Sequence, residues 1–139
     1  MGGDGTRISG GCLCGAVRYE ASEPPSFMGH CYCADCRKAS GSGFIPFMNF
    51  PARALRFTGE VMQFRSKAAS GREAVRNFCA RCHSLVFGGD IGASDWHTIY
   101  AGSLDDPSLF APSLAIFGQG KPDWAVVPAG VAAFPGMPQ

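Results

Sequence analysis

The chain has 139 residues, enough for one domain with its own core. Hydrophobic residues make up 46% and charged residues 17%, below the usual charged share of about 25%, which argues against a disordered chain. A net charge of +1, with the basic residues scattered, supplies no field for phosphates and argues against nucleic acid as a partner. Nineteen glycines and ten prolines predict short strands and many turns. No apolar run follows the first seven residues, and residues 125–134 are broken by Pro128 and Gly130. The sequence therefore predicts neither a secretory leader nor a membrane span, and a cytoplasmic location.

In chain order, a lead-in over residues 6–9 reaches Cys12 and Cys14, and residues 16–20 alternate like a half-buried strand that Glu23-Pro24-Pro25 ends. Residues 26–31 return as a second strand, and residues 34–40 form a short helix stopped by Gly41 and Gly43. The aromatic stretch 44–50 is extended, with Pro46 marking an edge or a bulge. Strands over 55–58 and 61–65 flank a turn at Gly59-Glu60. Residues 74–78 lead into Cys79 and Cys82, residues 85–87 lead out, and 96–100 and 113–117 complete the set. Phe44, Phe47, Phe50, Phe57, Phe64 and Phe78 are expected in the core, and Trp96 and Trp124 are expected to pack. The fold class is mainly β: a strongly bent sheet of short antiparallel strands, a β-tent or sandwich with one short helix, clipped by zinc. A single zinc-binding domain over residues 1–139 is expected, ordered from about 6 to 134.

The cysteines organise the chain. Seven is an odd number, so a closed set of disulfides leaves one over, and metal binding is the better default. His30-Cys31-Tyr32-Cys33-Ala34-Asp35-Cys36-Arg37-Lys38 places three thiols within six residues, and thiolates that crowded repel unless a soft cation holds them. Cys79-Ala80-Arg81-Cys82 is a C-x-x-C turn, and Cys12-Leu13-Cys14-Gly15 is a tighter partner for it. Cys12, Cys14, Cys79 and Cys82 thus make a closed structural zinc site, with residues 15–78 between its halves. Cys31, Cys33 and Cys36 remain as a reactive zinc site with one ligand position open to water or a thiol. Two zinc ions per chain follow. A divalent ion with three thiolates has one net negative charge, which Arg37 or Lys38 could offset while His30 lies beside the substrate. The competing reading makes the group of three a second structural site completed by His30 or by a water held by the backbone. His83 and His97 are expected at the surface or behind the ligands.

Gly11-Cys12-Leu13-Cys14-Gly15-Ala16-Val17-Arg18-Tyr19, His30 to Arg37, and Phe78-Cys79-Ala80-Arg81-Cys82 together resemble the glutathione-dependent formaldehyde-activating enzyme family, which includes the centromere protein V-like proteins. Phe57-Thr58-Gly59 and Lys121-Pro122-Asp123-Trp124 are similar too. The resemblance implies a β-tent, a structural zinc on Cys12, Cys14, Cys79 and Cys82, and a catalytic zinc on Cys31, Cys33 and Cys36. It also implies a carbon-sulfur lyase that adds glutathione reversibly to formaldehyde. The chain departs from the family at Cys82-His83-Ser84, where many members have Cys-Gly-Thr, and at Ala115-Ile116, where His-Ile is expected. The alternative to an enzyme is a non-catalytic, zinc-stabilised module that binds a protein partner or carries a thiol.

Overall fold

The computed structural model describes residues 7–68 and 70–138, so Thr6 in the expected lead-in lies outside the described residues. The alternating stretches become β1 (Ile8–Gly11), β2 (Arg18–Ala21), β3 (Phe27–Cys31), the helix α1 (Ala34–Ser40), β4 (Ile45–Pro51) and β5 (Leu55–Thr58). They continue as β6 (Val61–Lys67), β7 (Glu73–Cys79), β8 (Leu85–Gly88), β9 (Trp96–Tyr100), β10 (Leu114–Ile116) and β11 (Ala132–Ala133). A three-stranded sheet has the order β1-β2-β5, and an eight-stranded sheet the order β11-β10-β3-β4-β9-β8-β7-β6. The described residues are mainly β with a single α-helix, as the sequence predicts.

Two expectations change. β10 runs parallel to both β3 and β11, so the strands are not all antiparallel. It reaches β3 only after β4 and β6 to β9 have been laid down, and a crossover of that length can return to either end. β4 is a central strand rather than an edge, flanked by β3 and β9. Pro46 is tolerated because the ladder with β9 begins one residue later, at Phe47 paired with Tyr100.

The period of two gives the large sheet two faces. Met48, Phe50, Phe87 and Ile99 point inward and share one buried cluster with Tyr19 and Ala21 of the small sheet and Val17 just before β2. Each such side chain contributes about 1.5–3 kcal/mol of burial. Asn77, fully buried in β7, donates from Nδ2 to the Phe87 and Gly89 carbonyls at 3.2 and 2.7 Å and accepts from Gln63 Nε2 at 2.9 Å. It thereby satisfies the backbone where the β7–β8 register shifts. The outward face carries Cys31 opposite Ile45, Phe47 opposite Tyr100, and a row running Thr98, Gly88, Arg76, Phe64 across four strands. Phe64 is therefore 61% exposed rather than core, because it stands on the edge strand β6 and faces away from the small sheet. Trp96 and Trp124 are exposed as well, the latter covering Gly43.

Arg18 of β2 pairs through both guanidinium nitrogens with Asp105, which also accepts from Ser9 Oγ at 2.9 Å. These hydrogen bonds, Arg18 first, hold the Asp105 carboxyl down to about 2. A depressed carboxylate stabilises the fold above its unfolded pKa of about 3.9 and loses that contribution as pH falls through its folded value. Both side chains are over a third exposed, so the pair contributes about 0–1 kcal/mol. Thermal melts of Asp105→Asn are expected to fall slightly below the parent at pH 7 and to coincide with it near pH 2.

Candidate metal centres

Two turns build the four-thiol group. After β1, Cys12 N–H donates to the Val17 carbonyl at 3.0 Å and Gly15, at φ +83°, donates to the Cys12 carbonyl at 3.2 Å. The Cys12 sulfur accepts from Val17 N–H at 3.2 Å. After β7, the Cys79 sulfur accepts from the N–H groups of Arg81 and Cys82 at 3.3 and 3.4 Å. Ser84 joins the turns, its hydroxyl accepting from Leu13 N–H at 3.3 Å while lying 3.2 Å from the Cys82 sulfur. That hydroxyl is the first cause holding the Cys82 thiol down to about 5.

The Cys12 and Cys14 sulfurs stand 3.7 Å apart, as do those of Cys14 and Cys79, and all four lie within 4.8 Å of one another. Sulfurs arranged tetrahedrally around zinc at about 2.3 Å are about 3.8 Å apart, so the group fits that ion. One pair of cysteines belongs to the small sheet's hairpin and the other to the large sheet's β7–β8 turn, so an ion held here ties sheet to sheet.

The second group arises at a strand-to-helix junction. Cys31 ends β3, Cys33 caps α1 with its sulfur accepting from Cys36 N–H at 3.2 Å, and Cys36 lies in the first helical turn. Gly41, at φ +72°, closes the helix as the sequence predicts. The three sulfurs lie within 4.8 Å of one another, and all seven cysteines are free thiols. Cys33 is held down to about 2, first by hydrogen bonding from Cys31, whereas Cys31 is pushed up to about 11 by its contact with Cys33. Cys36 is pushed upward too, first by Cys31. Three thiols that compete for one negative charge need a cation to ionise together, which is the donor chemistry of a soft metal site.

Beside Cys31 and Cys36 lies a cavity of about 290 Å³ on the outward face of the large sheet, walled by Ile45, Phe47, Val75, Ile116 and Tyr100 and floored by Gly88 and Gly89. A Cβ at Gly88 would come within 2.6 Å of Thr98 Oγ1 and 2.9 Å of the Tyr100 hydroxyl, so glycine leaves room for both. Arg76 reaches this cavity and also the neighbouring one beside Cys33. Its Nε is buried without a hydrogen-bond partner among the described residues. Burial works against its charge most strongly, yet Tyr100 and the Cys36 and Cys33 sulfurs more than offset that and hold the guanidinium charged. A larger cavity of about 840 Å³ runs from Cys12 and Leu13 past Ser84 to the end of α1, but none of the three grouped thiols lines it. The smaller cavity is the one that two of the three grouped thiols, Cys31 and Cys36, line.

The sequence-predicted substrate residues lie at different distances from the three thiols. His30 alternates away from Cys31, stacks on Phe44 with centroids 4.2 Å apart and lies 3.3 Å from the Tyr32 hydroxyl, so it does not complete the three-thiol group. Arg37 and Lys38 lie in the last turn of α1 and line neither of the cavities that Arg76 lines. His97 is buried with Nδ1 3.0 Å from the Gly88 carbonyl, and His83 is exposed. Arg76, Thr98 and Tyr100, which line the cavity beside Cys31 and Cys36, were not singled out by the sequence. The signal was present in the alternation of residues 74–78, which puts Arg76 on the face opposite Asn77 and Cys79.

A family model described as glutathione-dependent formaldehyde-activating enzyme matches residues 7–120. The chain belongs to that family. Among curated proteins nothing matches it. A crystal structure of a Rhodobacter sphaeroides protein, a structural-genomics target, is similar at a TM-score of 0.53 over 70% of this chain and 87% of that one, with 18% identity. That likeness speaks to the fold.

Both departures from the formaldehyde-activating pattern now have a structural setting. His83 stands at φ +64°, a left-handed conformation that the usual glycine adopts freely, and Ser84 keeps the hydroxyl of the usual threonine. Relief of the left-handed strain is worth about 1–2 kcal/mol, less about 0.5–1 kcal/mol for the glycine's extra chain entropy. His83→Gly is therefore expected to raise the melting temperature by a few degrees in a calorimetric scan. Ala115 is fully buried against Tyr32 and Ala125, while its neighbour Ile116 packs with Cys31. A side chain at 115 thus faces away from the three thiols.

Proposed function

We propose that the chain is a zinc-dependent carbon-sulfur lyase that adds a thiol, glutathione first, reversibly to formaldehyde or another small aldehyde. The carrying observation is the set of three close sulfurs, with no fourth cysteine or histidine in their group among the described residues, beside a cavity that the half-buried Arg76 enters with its guanidinium against the Cys36 and Cys33 sulfurs. Cys31, Cys33 and Cys36 would hold the reactive zinc, and Cys12, Cys14, Cys79 and Cys82 the structural one. Bound zinc supplies a lowered thiol pKa at neutral pH. Arg76 offsets the negative charge of the thiolates, the role the sequence offered to Arg37 and Lys38. Ile45, Phe47 and Ile116 exclude water, and the helix cap holds Cys33 in place. The addition itself is simple: the thiol gives up its proton, sulfur bonds to the carbonyl carbon, the carbonyl electron pair moves to oxygen, and that oxygen is protonated.

Among the described residues no helix is long and apolar enough to cross a membrane. NMR exchange spectroscopy of glutathione with formaldehyde, beside calorimetric titration of glutathione, tests the proposal. Saturable binding with exchange above the spontaneous rate is expected, and Cys36→Ser should abolish both. Binding without acceleration would instead make the chain a thiol carrier, and no binding with both metals in place would remove the family chemistry.

A further inference from the structure

We infer that the cavity beside Cys31 and Cys36 takes an aldehyde with an apolar body of several carbons, so that formaldehyde is the smaller and poorer of its carbonyl substrates. The inference rests on the proposed thiol addition for its chemistry and on the cavity for its specificity. About 290 Å³ is room for roughly nine or ten waters at ~30 Å³ each, whereas formaldehyde has two heavy atoms. A pocket that oversized would hold formaldehyde no better than solvent does.

The lining says what fits. Ile45, Phe47, Val75 and Ile116 are apolar, Ala74 stands at the side, and Gly88 and Gly89 add width without polarity. Glutathione is a poor occupant because it carries several charges. Of the two charged residues on the wall, Glu73 is engaged by Arg65 at 2.9 Å, and Arg76 sits against the thiols. An aldehyde carbon chain or ring satisfies such a wall by apolar burial. Its carbonyl end lies at the polar corner, where Arg76, Thr98 and Tyr100 meet Cys31 and Cys36. There the sulfur of the co-substrate thiol bonds to the carbonyl carbon, the π electrons pass to oxygen, and the proton released by the thiol ends on that oxygen, so the product is a hemithioacetal and no redox partner is needed.

The test compares formaldehyde, 3-methylbutanal and benzaldehyde as partners of glutathione with the zinc-loaded protein, and follows backbone amide shifts of Ala74, Gly88 and Ile116 on addition of benzyl alcohol, an unreactive probe. The larger aldehydes are expected to exceed formaldehyde in kcat/KM by roughly tenfold or more over their spontaneous rates. Ala74→Phe, a substitution strands accept, is expected to erase that preference by filling the cavity while the melting temperature holds. Benzyl alcohol is expected to shift those three amides in the parent and not in the variant. Acceleration of formaldehyde alone, with no benzyl alcohol shifts, would overturn the inference and leave the proposed function standing. Benzyl alcohol shifts without acceleration of any aldehyde would overturn the proposed function and keep the pocket assignment. Neither shifts nor acceleration would overturn both.

Discussion

Cys79→Ser is expected to leave the chain unfolded or to lower its melting temperature by tens of degrees, and Cys33→Ser to do neither. Cys79 is fully buried, and its sulfur meets Cys14 of the other sheet at 3.7 Å while accepting two backbone N–H groups. In zinc-dependent small domains a structural ion contributes about 10–16 kcal/mol at neutral pH, against a total stability of about 5–15 kcal/mol, so weakening its ligand set removes most of the margin. Cys33 differs because its local duty is to cap α1, and serine is among the best residues for that position. Metal content by inductively coupled plasma mass spectrometry, read beside circular dichroism melts, checks both variants. The Cys33 variant should lose about one ion and keep its transition. Equal melting of the two would dissolve the division into structural and reactive centres.

Arg76→Met is expected to weaken glutathione binding by about 10- to 100-fold, the equivalent of the about 1.5–3 kcal/mol that a charge-assisted hydrogen bond contributes. Arg76→Lys should recover part of the loss, because it restores the charge without the planar fork. A half-buried guanidinium with no carboxylate partner among the described residues is costly to keep, and the cluster of sulfurs beside it compensates. Calorimetry at matched metal content separates this from loss of the ion. Unchanged affinity in Arg76→Met would assign the arginine to packing alone.

The cysteine spacing made the centres legible before any coordinates, because ligands close in sequence must be close in space and the remaining pairs had few ways to combine. Strand positions were equally legible where residues alternate, as over Trp96–Tyr100, and the helix from Ala34 to Ser40 ended at the expected glycine. What the sequence hid was pairing between distant strands. Arg76 is 40 residues from Cys36, and only the pairing of β7, β8 and β9 in one sheet puts it on the same cavity as Cys31 and Cys36. Phe64 misled for the same reason: an aromatic on an edge strand carries the same local signal as one at the centre of a sheet. His30 was drawn to the thiols by adjacency in sequence, yet adjacent residues in a strand point to opposite faces.

The position of β9 between β4 and β8 sets an order of events for a chain emerging from the ribosome. Once Cys82 has emerged, all four clip cysteines are available, whereas β3 and β4 have no hydrogen-bonded path to β6, β7 and β8 until residues 96–100 arrive. An ion captured early would close the long loop between the two turns and lower the entropy that β9 must overcome when it zips the halves together. The cavity beside the three thiols comes later still, because Ile116, one of its walls, is synthesised well after Cys31, Ile45 and Phe47, with which it clusters. A nascent chain would thus hold its scaffold metal before it has a finished pocket in which aldehydes could react.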